Sequence, residues 1–327
     1  MFATAPRGRL GAGCAALVLV ALTTMFFESA DAHGFIVSPM ARNLMRRADA
    51  NYCPHCGNGG GTAHVQARIN AGGWGFPDMG SAENTHGLCG DPWQNSAVAG
   101  QFAPIPQQPF MLAGGVQATW AEGSQVDITV GITANHKGYF EFRVCDAGID
   151  TATPSQAAGQ ACLDRHVLRR VDPATRPECT NVDVGDIPDC QPMDQARPSR
   201  WWLPPQAYGT PGGPEASTQF TMRYQLPEGL WCSGGCTLQW WWLTANSCHP
   251  EGEVEYYRAA REQAGGGLPA GWGTSDRYMS DCGGQAQTEQ FWNCADIRIL
   301  PSAGNSSSTP PGGAGPLEPA PATPAPE

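Results

Sequence analysis

From Val116 onward the apolar residues recur with a period of two. Val126, Ile128 and Val130 alternate with polar neighbours, and Phe140, Phe142 and Val144 do the same opposite Tyr139, Glu141 and Arg143. Phe220, Met222, Tyr224 and Leu226 form a third run. From Cys236 to Leu243 the chain is apolar on both faces, with Leu238, Trp240 and Trp242 against Trp241 and Leu243, which reads as a central strand. Ile297 and Ile299 end the series as a short strand. Short alternating segments separated by turn residues predict an all-β chain folded as an antiparallel β-sandwich.

Between these strands the pattern lapses. Residues 33–115 are irregular, dense in Gly and Asn, and carry Cys53, Cys56 and Cys89 with Trp74, Phe76 and Trp93. A disulfide-stapled loop region is expected there, with short helical pieces such as Ala63 to Ile69. Residues 146–218, rich in Pro, Asp and Gln and holding Cys162, Cys179 and Cys190, read as a long excursion between strands. Tyr256 to Gln263 suits a short helix. The sequence thus divides into 1–32, a sandwich domain over 33–301, and a tail over 302–327 made of Ser, Pro, Gly and Ala, the composition of an extended or disordered linker. Asn305-Ser306-Ser307 within it is a glycosylation sequon.

The first 32 residues read as a secretory signal peptide. Arg7 and Arg9 precede an apolar run from Gly11 to Phe27, short for a membrane span, and Ala30-Asp31-Ala32 has the small-x-small form of a cleavage site. A secreted, extracellular protein is expected, with no membrane association after processing. Composition agrees with the β reading: 15% charged residues, 41 Gly and 29 Pro. The net charge of −11 argues against nucleic acid or anionic membrane as a partner, since both need clustered Lys and Arg. Of thirteen cysteines, Cys14 falls in the signal, and the even remainder in an oxidising compartment reads as disulfides whose pairing is left open.

Cleavage after Ala32 would make His33 the first residue. Its imidazole and its α-amino group would then form a two-nitrogen chelate, and an amino pKa of ~7.7–8.0 lets a metal displace the proton near neutral pH. His136, just past a strand expected to end near Gly131, offers a third nitrogen; the alternative is an ordinary surface-turn histidine. Cys53-Pro54-His55-Cys56 resembles half a zinc knuckle, but disulfides are favoured outside the cytosol. Tyr52, Trp74, Phe76 and Trp93 suit either stacking on sugar rings or packing under a long loop. No H-E-x-x-H, G-x-S-x-G or Gly-rich phosphate loop occurs, so no hydrolase motif is present.

Several short motifs then appear in one order: His33-Gly34, Pro39-Met40-Ala41-Arg42-Asn43, Cys89-Gly90-Asp91-Pro92-Trp93, Thr133-Ala134-Asn135-His136, the segment from Leu226-Pro227 to Gln239-Trp240, and Phe291-Trp292-Asn293-Cys294-Ala295-Asp296-Ile297. From 33 to about 300 the chain resembles the lytic polysaccharide monooxygenases of auxiliary-activity family fifteen. The resemblance implies an immunoglobulin- or fibronectin-III-like sandwich and one mononuclear copper ion held by His33 and His136 in a histidine brace. It also implies an external electron donor, and oxygen or hydrogen peroxide as oxidant. Phe291 would stand at the axial position, where relatives often carry Tyr. Ala134 would crowd the other axial side, and Gln239 would hydrogen-bond in the surrounding shell. Tyr52, Trp74 and Phe76 would meet an insoluble polysaccharide, chitin ahead of cellulose, with the protein a monomer. A non-catalytic carbohydrate-binding protein and a copper-transfer protein are the competing readings.

Overall fold

The computed structural model describes residues 33–46, 87–91, 105–179, 188–204, 218–263, 279–282 and 288–302. Nine strands lie among them. They are β1 (His33–Ser38), β2 (Ala118–Ala121), β3 (Gln125–Ala134), β4 (Tyr139–Cys145), β5 (Arg169–Arg170), β6 (Trp201–Trp202), β7 (Thr218–Gln225), β8 (Cys232–Leu243) and β9 (Gln290–Leu300). They form a four-stranded sheet, β1-β3-β7-β5, and a five-stranded sheet, β2-β9-β8-β4-β6. Every pair is antiparallel except β2 with β9, which makes the second sheet mixed.

The alternation on β3 and β7 works as expected. Val126, Ile128 and Val130 face Phe140, Phe142, Leu238 and Trp240 across the sandwich, and Phe220, Met222 and Tyr224 join the same core. Aromatic contacts stitch the layers together, with Phe142 and Tyr224 rings 4.9 Å apart and Trp201 and Phe220 5.5 Å apart. β8 is central, with β9 on one side and β4 on the other, as its two-faced apolar pattern demands.

Some elements differ from the pattern. β4 is buried on both faces, not one. Its second face is covered by a cluster of Tyr139, Trp202, Trp241, Tyr256 and Tyr257, to which the helix Glu253–Gln263 contributes its buried side. Glu141 and Arg143 survive burial there because they pair at 2.8 Å, with Arg143 Nε also donating to Asp164 at 3.0 Å. β9 is 11 residues long, longer than the short strand expected around Ile297 and Ile299, since its polar residues Asn293 and Asp296 are partnered inside the structure. The excursion after β4 holds a helix, Gln156–Leu163, capped by the Ser155 hydroxyl accepting from the Ala158 N–H. Cys232 and Cys236 are bonded across an irregularity within β8 rather than across a turn before it. The remaining described disulfides are Cys89–Cys294, Cys145–Cys162, Cys179–Cys190 and Cys248–Cys282. The helix expected over Ala63 to Ile69, Cys53 and Cys56, and the segments 1–32 and 303–327 lie outside the described residues. No helix among the described residues is long and apolar enough to cross a membrane.

The N-terminal segment is held by one buried cation. Arg42 is 2% exposed, and its guanidinium meets both Asp296 oxygens, at 2.5 Å and 3.0 Å. Its other N–H groups donate to the carbonyls of Phe110 and Ile149 and to the Thr237 hydroxyl. Nearby Asp91 accepts from the Phe110 N–H at 2.8 Å. Burial raises the Asp91 carboxyl from its ordinary 3.8 to about 7, against the opposing pull of the Phe110 N–H, Arg42 and Arg46.

Two outcomes are expected. Arg42→Ala leaves Asp296 buried without its counter-ion and should cost about 3–5 kcal/mol in denaturant unfolding. For Asp91 the native state keeps a proton that the unfolded chain loses above 3.8, so stability should fall as pH rises from there to about 7. Asp91→Asn should flatten that slope in unfolding curves recorded across the same range.

Candidate metal centre

The head of β1 is placed by strand pairing. His33 stands opposite Ala134 and Gly34 opposite Ile132, with an irregularity between them. Farther along, the Ile36 N–H donates to Asn293 Oδ1 at 3.1 Å, which ties β1 to β9 in the other sheet. Gly34 is required by space: a Cβ there would sit 2.7 Å from Ile132 Cδ1 and 3.0 Å from Trp240 Cη2. The His33-Gly34 pair thus enters where two strands and an indole converge.

β3 runs to Ala134, three residues past the expected end at Gly131, because β1 pairs with it from Thr129 to Ala134. The chain then turns through residues 135–138 before β4. His136 is half-buried on this turn. Lys137 has a φ of 55° and Gly138 a φ of 77°. A Cβ on Gly138 would fall 1.9 Å from the Leu243 carbonyl oxygen, so only glycine fits.

The turn is held from several sides. The Ala245 N–H donates to the His136 carbonyl at 2.8 Å, and the Leu203 N–H to the Gly138 carbonyl at 2.8 Å. Trp242 Nε1 donates to the Lys137 carbonyl at 2.8 Å. Asn135 acts in both directions: its Oδ1 accepts from the Lys137 N–H at 2.8 Å and its Nδ2 donates to the Pro204 carbonyl at 2.7 Å. His136 is therefore carried on a backbone with little freedom.

Phe291 packs against Trp242, the residue whose Nε1 holds the Lys137 carbonyl. The two residues are cross-strand partners on β9 and β8, and their rings lie 5.2 Å apart. Phe291 is fully buried in the sandwich core. Ala134 is half-buried at the end of β3, directly opposite His33. Gln239 is arranged differently from the expectation. Strand alternation sets it on the face of β8 opposite Trp240 and Trp242, and its amide donates to the Leu88 carbonyl at 2.8 Å and to Gln160 Oε1 at 3.2 Å. It joins the helix Gln156–Leu163 to the sheet. Tyr52, Trp74, Phe76 and Trp93 lie outside the described residues, as do His55, His64 and His86.

A polar group beside the turn was not evident from the hydrophobic pattern. Asn246 Nδ2 donates to Glu289 Oε2 at 2.6 Å, and Thr244 and Thr288 hydroxyls meet at 2.7 Å. Thr244 and Asn246 flank Ala245, whose N–H holds the His136 carbonyl, so the cluster adjoins the turn. Its signal in the sequence was a pair of polar stretches at the end of one apolar strand and the start of the next. Elsewhere, Cys145, Asp146 and Cys162 offer ligand atoms close together, but both sulfurs are committed to a disulfide. Burial lowers the His166 imidazole, and the nearby Asp146 only partly offsets that.

A family model described as "lytic polysaccharide mono-oxygenase, cellulose-degrading" matches residues 33–297, beginning at His33 itself. No curated protein matches the chain. Among solved structures, similarity extends to an auxiliary-activity family fifteen lytic polysaccharide monooxygenase from Thermobia domestica in the Cu(I) state. That match has 24% identity, 82% of this chain, 98% of that chain and a TM-score of 0.45. A chitin binding domain from Burkholderia pseudomallei is similar at 11% identity, covering 82% of this chain and all of that one at 100%, with a TM-score of 0.34. A cellulose-active lytic polysaccharide monooxygenase in complex with copper is similar at 14% identity, over 81% and 98% of the two chains, with a TM-score of 0.34.

Gly138→Ala should destabilise the protein by about 2 kcal/mol or more, through the left-handed backbone and the collision with Leu243 together. Gly115→Ala, whose added methyl would lie 3.9 Å from Gln117 Nε2, should be near neutral. Urea unfolding midpoints of the two variants check this.

Proposed function

The chain belongs to the lytic polysaccharide mono-oxygenase family, and from that premise we propose that it is a secreted copper enzyme that oxidatively cleaves β-1,4-linked polysaccharide. One observation carries the reading. The pairing of His33 with Ala134 brings the head of β1 alongside the strand end that leads, two residues on, to His136. The family match begins at that same His33.

The donor set suits copper. Two imidazoles and a terminal amine are nitrogen ligands, which copper(II) takes in a tetragonal plane. His33, through its α-amino and imidazole nitrogens, and His136 would hold one ion. This requires removal of residues 1–32, since an amino group buried in a peptide bond is no ligand. When bound, copper supplies the one-electron chemistry with oxygen or hydrogen peroxide, driven by an external reductant, that no amino-acid side chain provides.

The protein's own residues set the conditions. The amino group of His33 would have to give up its proton to hold the ion, and both imidazoles would hold it through neutral nitrogens. Phe291 brings no ligand atom, so it would add nothing to the nitrogens of His33 and His136. Ala134 keeps the side chain beside His33 small. The clamped turn at 135–138 holds His136 in one place, which suits a substrate that cannot enter a pocket. A polymer chain in a crystal has to be met by an open, pre-formed site whose geometry does not depend on closure around the substrate. Tyr52, Trp74 and Phe76 are proposed to stack on its sugar rings. Membership of auxiliary-activity family fifteen rests on the ordered motifs, the insoluble partner is chitin or cellulose, and the protein acts as a monomer.

Mass spectrometry of the secreted protein should give His33 as its first residue. That material should bind one copper ion, and His136→Ala should weaken binding at least ~10-fold. With copper and ascorbate it should release oxidised oligosaccharides from chitin or cellulose. Copper binding without such products points to a copper-transfer protein, and adsorption to polymer without copper binding points to a carbohydrate-binding protein.

A further inference from the structure

The loop after β8 carries a polar group that the proposed metal centre leaves unused. Ala245 donates its N–H to the His136 carbonyl at 2.8 Å, and Cys248 is bonded to Cys282. Asn246 and Ser247 lie between these two fixed points. Asn246 is half-buried, as His136 is on the adjoining turn, and Ser247 is exposed. Thr244, Thr288 and Glu289 beside them are buried, and the Thr244 N–H donates to the Glu289 carbonyl at 3.1 Å.

Asn246 is the centre of the group. Its Nδ2 donates to Glu289 Oε2 at 2.6 Å. Its Oδ1 lies 2.6 Å from the Thr288 hydroxyl, 3.1 Å from that of Thr244 and 3.2 Å from that of Ser247. An ionised carboxylate only accepts, so Glu289 fixes which end of the amide is NH2 and which is oxygen. Turned over, the amide would set two acceptors against each other at 2.6 Å. The oxygen has two lone pairs and three hydroxyls within reach, so it has nothing to offer a newcomer. The NH2 has two hydrogens and uses one on Glu289. The second meets no acceptor among the described residues.

A solvated asparagine turns over to present whichever end a partner needs. Asn246 is locked as a donor, one residue from the N–H that holds the His136 carbonyl. Ser247 complements it: its hydroxyl hydrogen goes to Asn246, and its lone pairs stay open to an incoming donor. A polymer lying over the His136 turn would meet this pair. Cellulose offers only hydroxyl and ether oxygens, and a hydroxyl serves as donor or acceptor by rotating. An N-acetylated polymer also offers amide carbonyls, which accept strongly and carry no hydrogen, and amide N–H groups. A donor and an acceptor held in advance favour those partners.

We propose that Asn246 is a specificity-determining residue for an N-acetylated polysaccharide: its second amide hydrogen is donated to an acetamide carbonyl of the polymer, Ser247 accepts from an acetamide N–H, and Glu289 with Thr288 fixes the direction of the Asn246 amide. The proposal rests on the polysaccharide reading above for its ligand, and on the hydrogen bonds of the cluster for its direction.

The test measures adsorption of the processed, secreted protein to crystalline chitin and to crystalline cellulose, without metal. Asn246→Ala, Ser247→Ala and Ser247→Thr are compared with the wild type. The electron paramagnetic resonance spectrum of added copper(II), recorded separately, reports whether the His136 turn is intact. The wild type should adsorb more tightly to chitin than to cellulose. Asn246→Ala should weaken adsorption to chitin roughly 2- to 10-fold, and Ser247→Ala roughly 2-fold, with cellulose and the copper spectrum unchanged. Ser247→Thr keeps the hydroxyl and should match the wild type.

Wild-type adsorption to chitin in both alanine variants overturns the proposal. So does an equal loss on the two polymers, or a wild-type preference for cellulose. If Asn246→Ala does not fold or shifts the copper spectrum, the exposed Ser247→Ala decides: unchanged adsorption to chitin overturns the proposal, and a loss confined to chitin upholds it. Adsorption to neither polymer overturns the polysaccharide reading together with this one. Adsorption to chitin that depends on Asn246, in a protein that binds no copper, overturns the enzyme reading alone.

Discussion

Arg42 has almost no surface and five N–H donors, so every one of its contacts must be met from within the protein. Asp296 supplies the counter-charge, and the carbonyls of Phe110 and Ile149 with the Thr237 hydroxyl take the remaining donors. One guanidinium thereby joins the segment after β1, the loop before β2, the loop after β4, β8 and β9. The Cys89–Cys294 disulfide repeats the connection covalently two residues along β9. A second link, from the Ile36 N–H to Asn293, is set one residue before that cystine. β9 is thus the spine from which the N-terminal segment hangs. Asn293 and Asp296 are buried because each has a partner on that segment.

This anchoring matters because the proposed metal site begins at the start of β1. Chain termini are ordinarily loose. Here the strand that starts at His33 is secured by β3 on one side and by Asn293 and Arg42 behind it. The other half of the proposed site is secured differently, by a turn whose carbonyls at 136, 137 and 138 accept from Ala245, Trp242 and Leu203. Trp242 serves both arrangements. Its ring lies in the core against Phe291 and Phe140, while its Nε1 reaches out to the Lys137 carbonyl. The sandwich core and the rim are joined through one indole, an amphipathic use suited to a side chain with a large apolar body and one polar edge.

The β-sandwich was legible from Val126, Ile128 and Val130, and from Phe220, Met222 and Tyr224, because an alternating pattern has a single physical solution when one face is solvated. The central position of β8 was legible for the opposite reason, since no polar face remained. β4 misled because Glu141 and Arg143 looked solvent-facing. They are buried as a pair, and pairing is a property of two side chains in space. The length of β9 was hidden for the same reason by Asn293 and Asp296. Gln239 was expected near the metal only because the family resemblance implied it. The alternation of its own strand turns it to the other side, against Leu88 and Gln160.

The sequence by itself determined the fold class, the family and the two histidines to consider, since these depend on local periodicity and on residue types at fixed order. Tertiary structure alone decided that His33 lies opposite Ala134. It alone decided that Lys137 and Gly138 hold left-handed backbone beneath the Trp242 indole. Register, handed turns and buried charge pairs each depend on contacts between residues far apart in the chain. No window of neighbouring residues contains them.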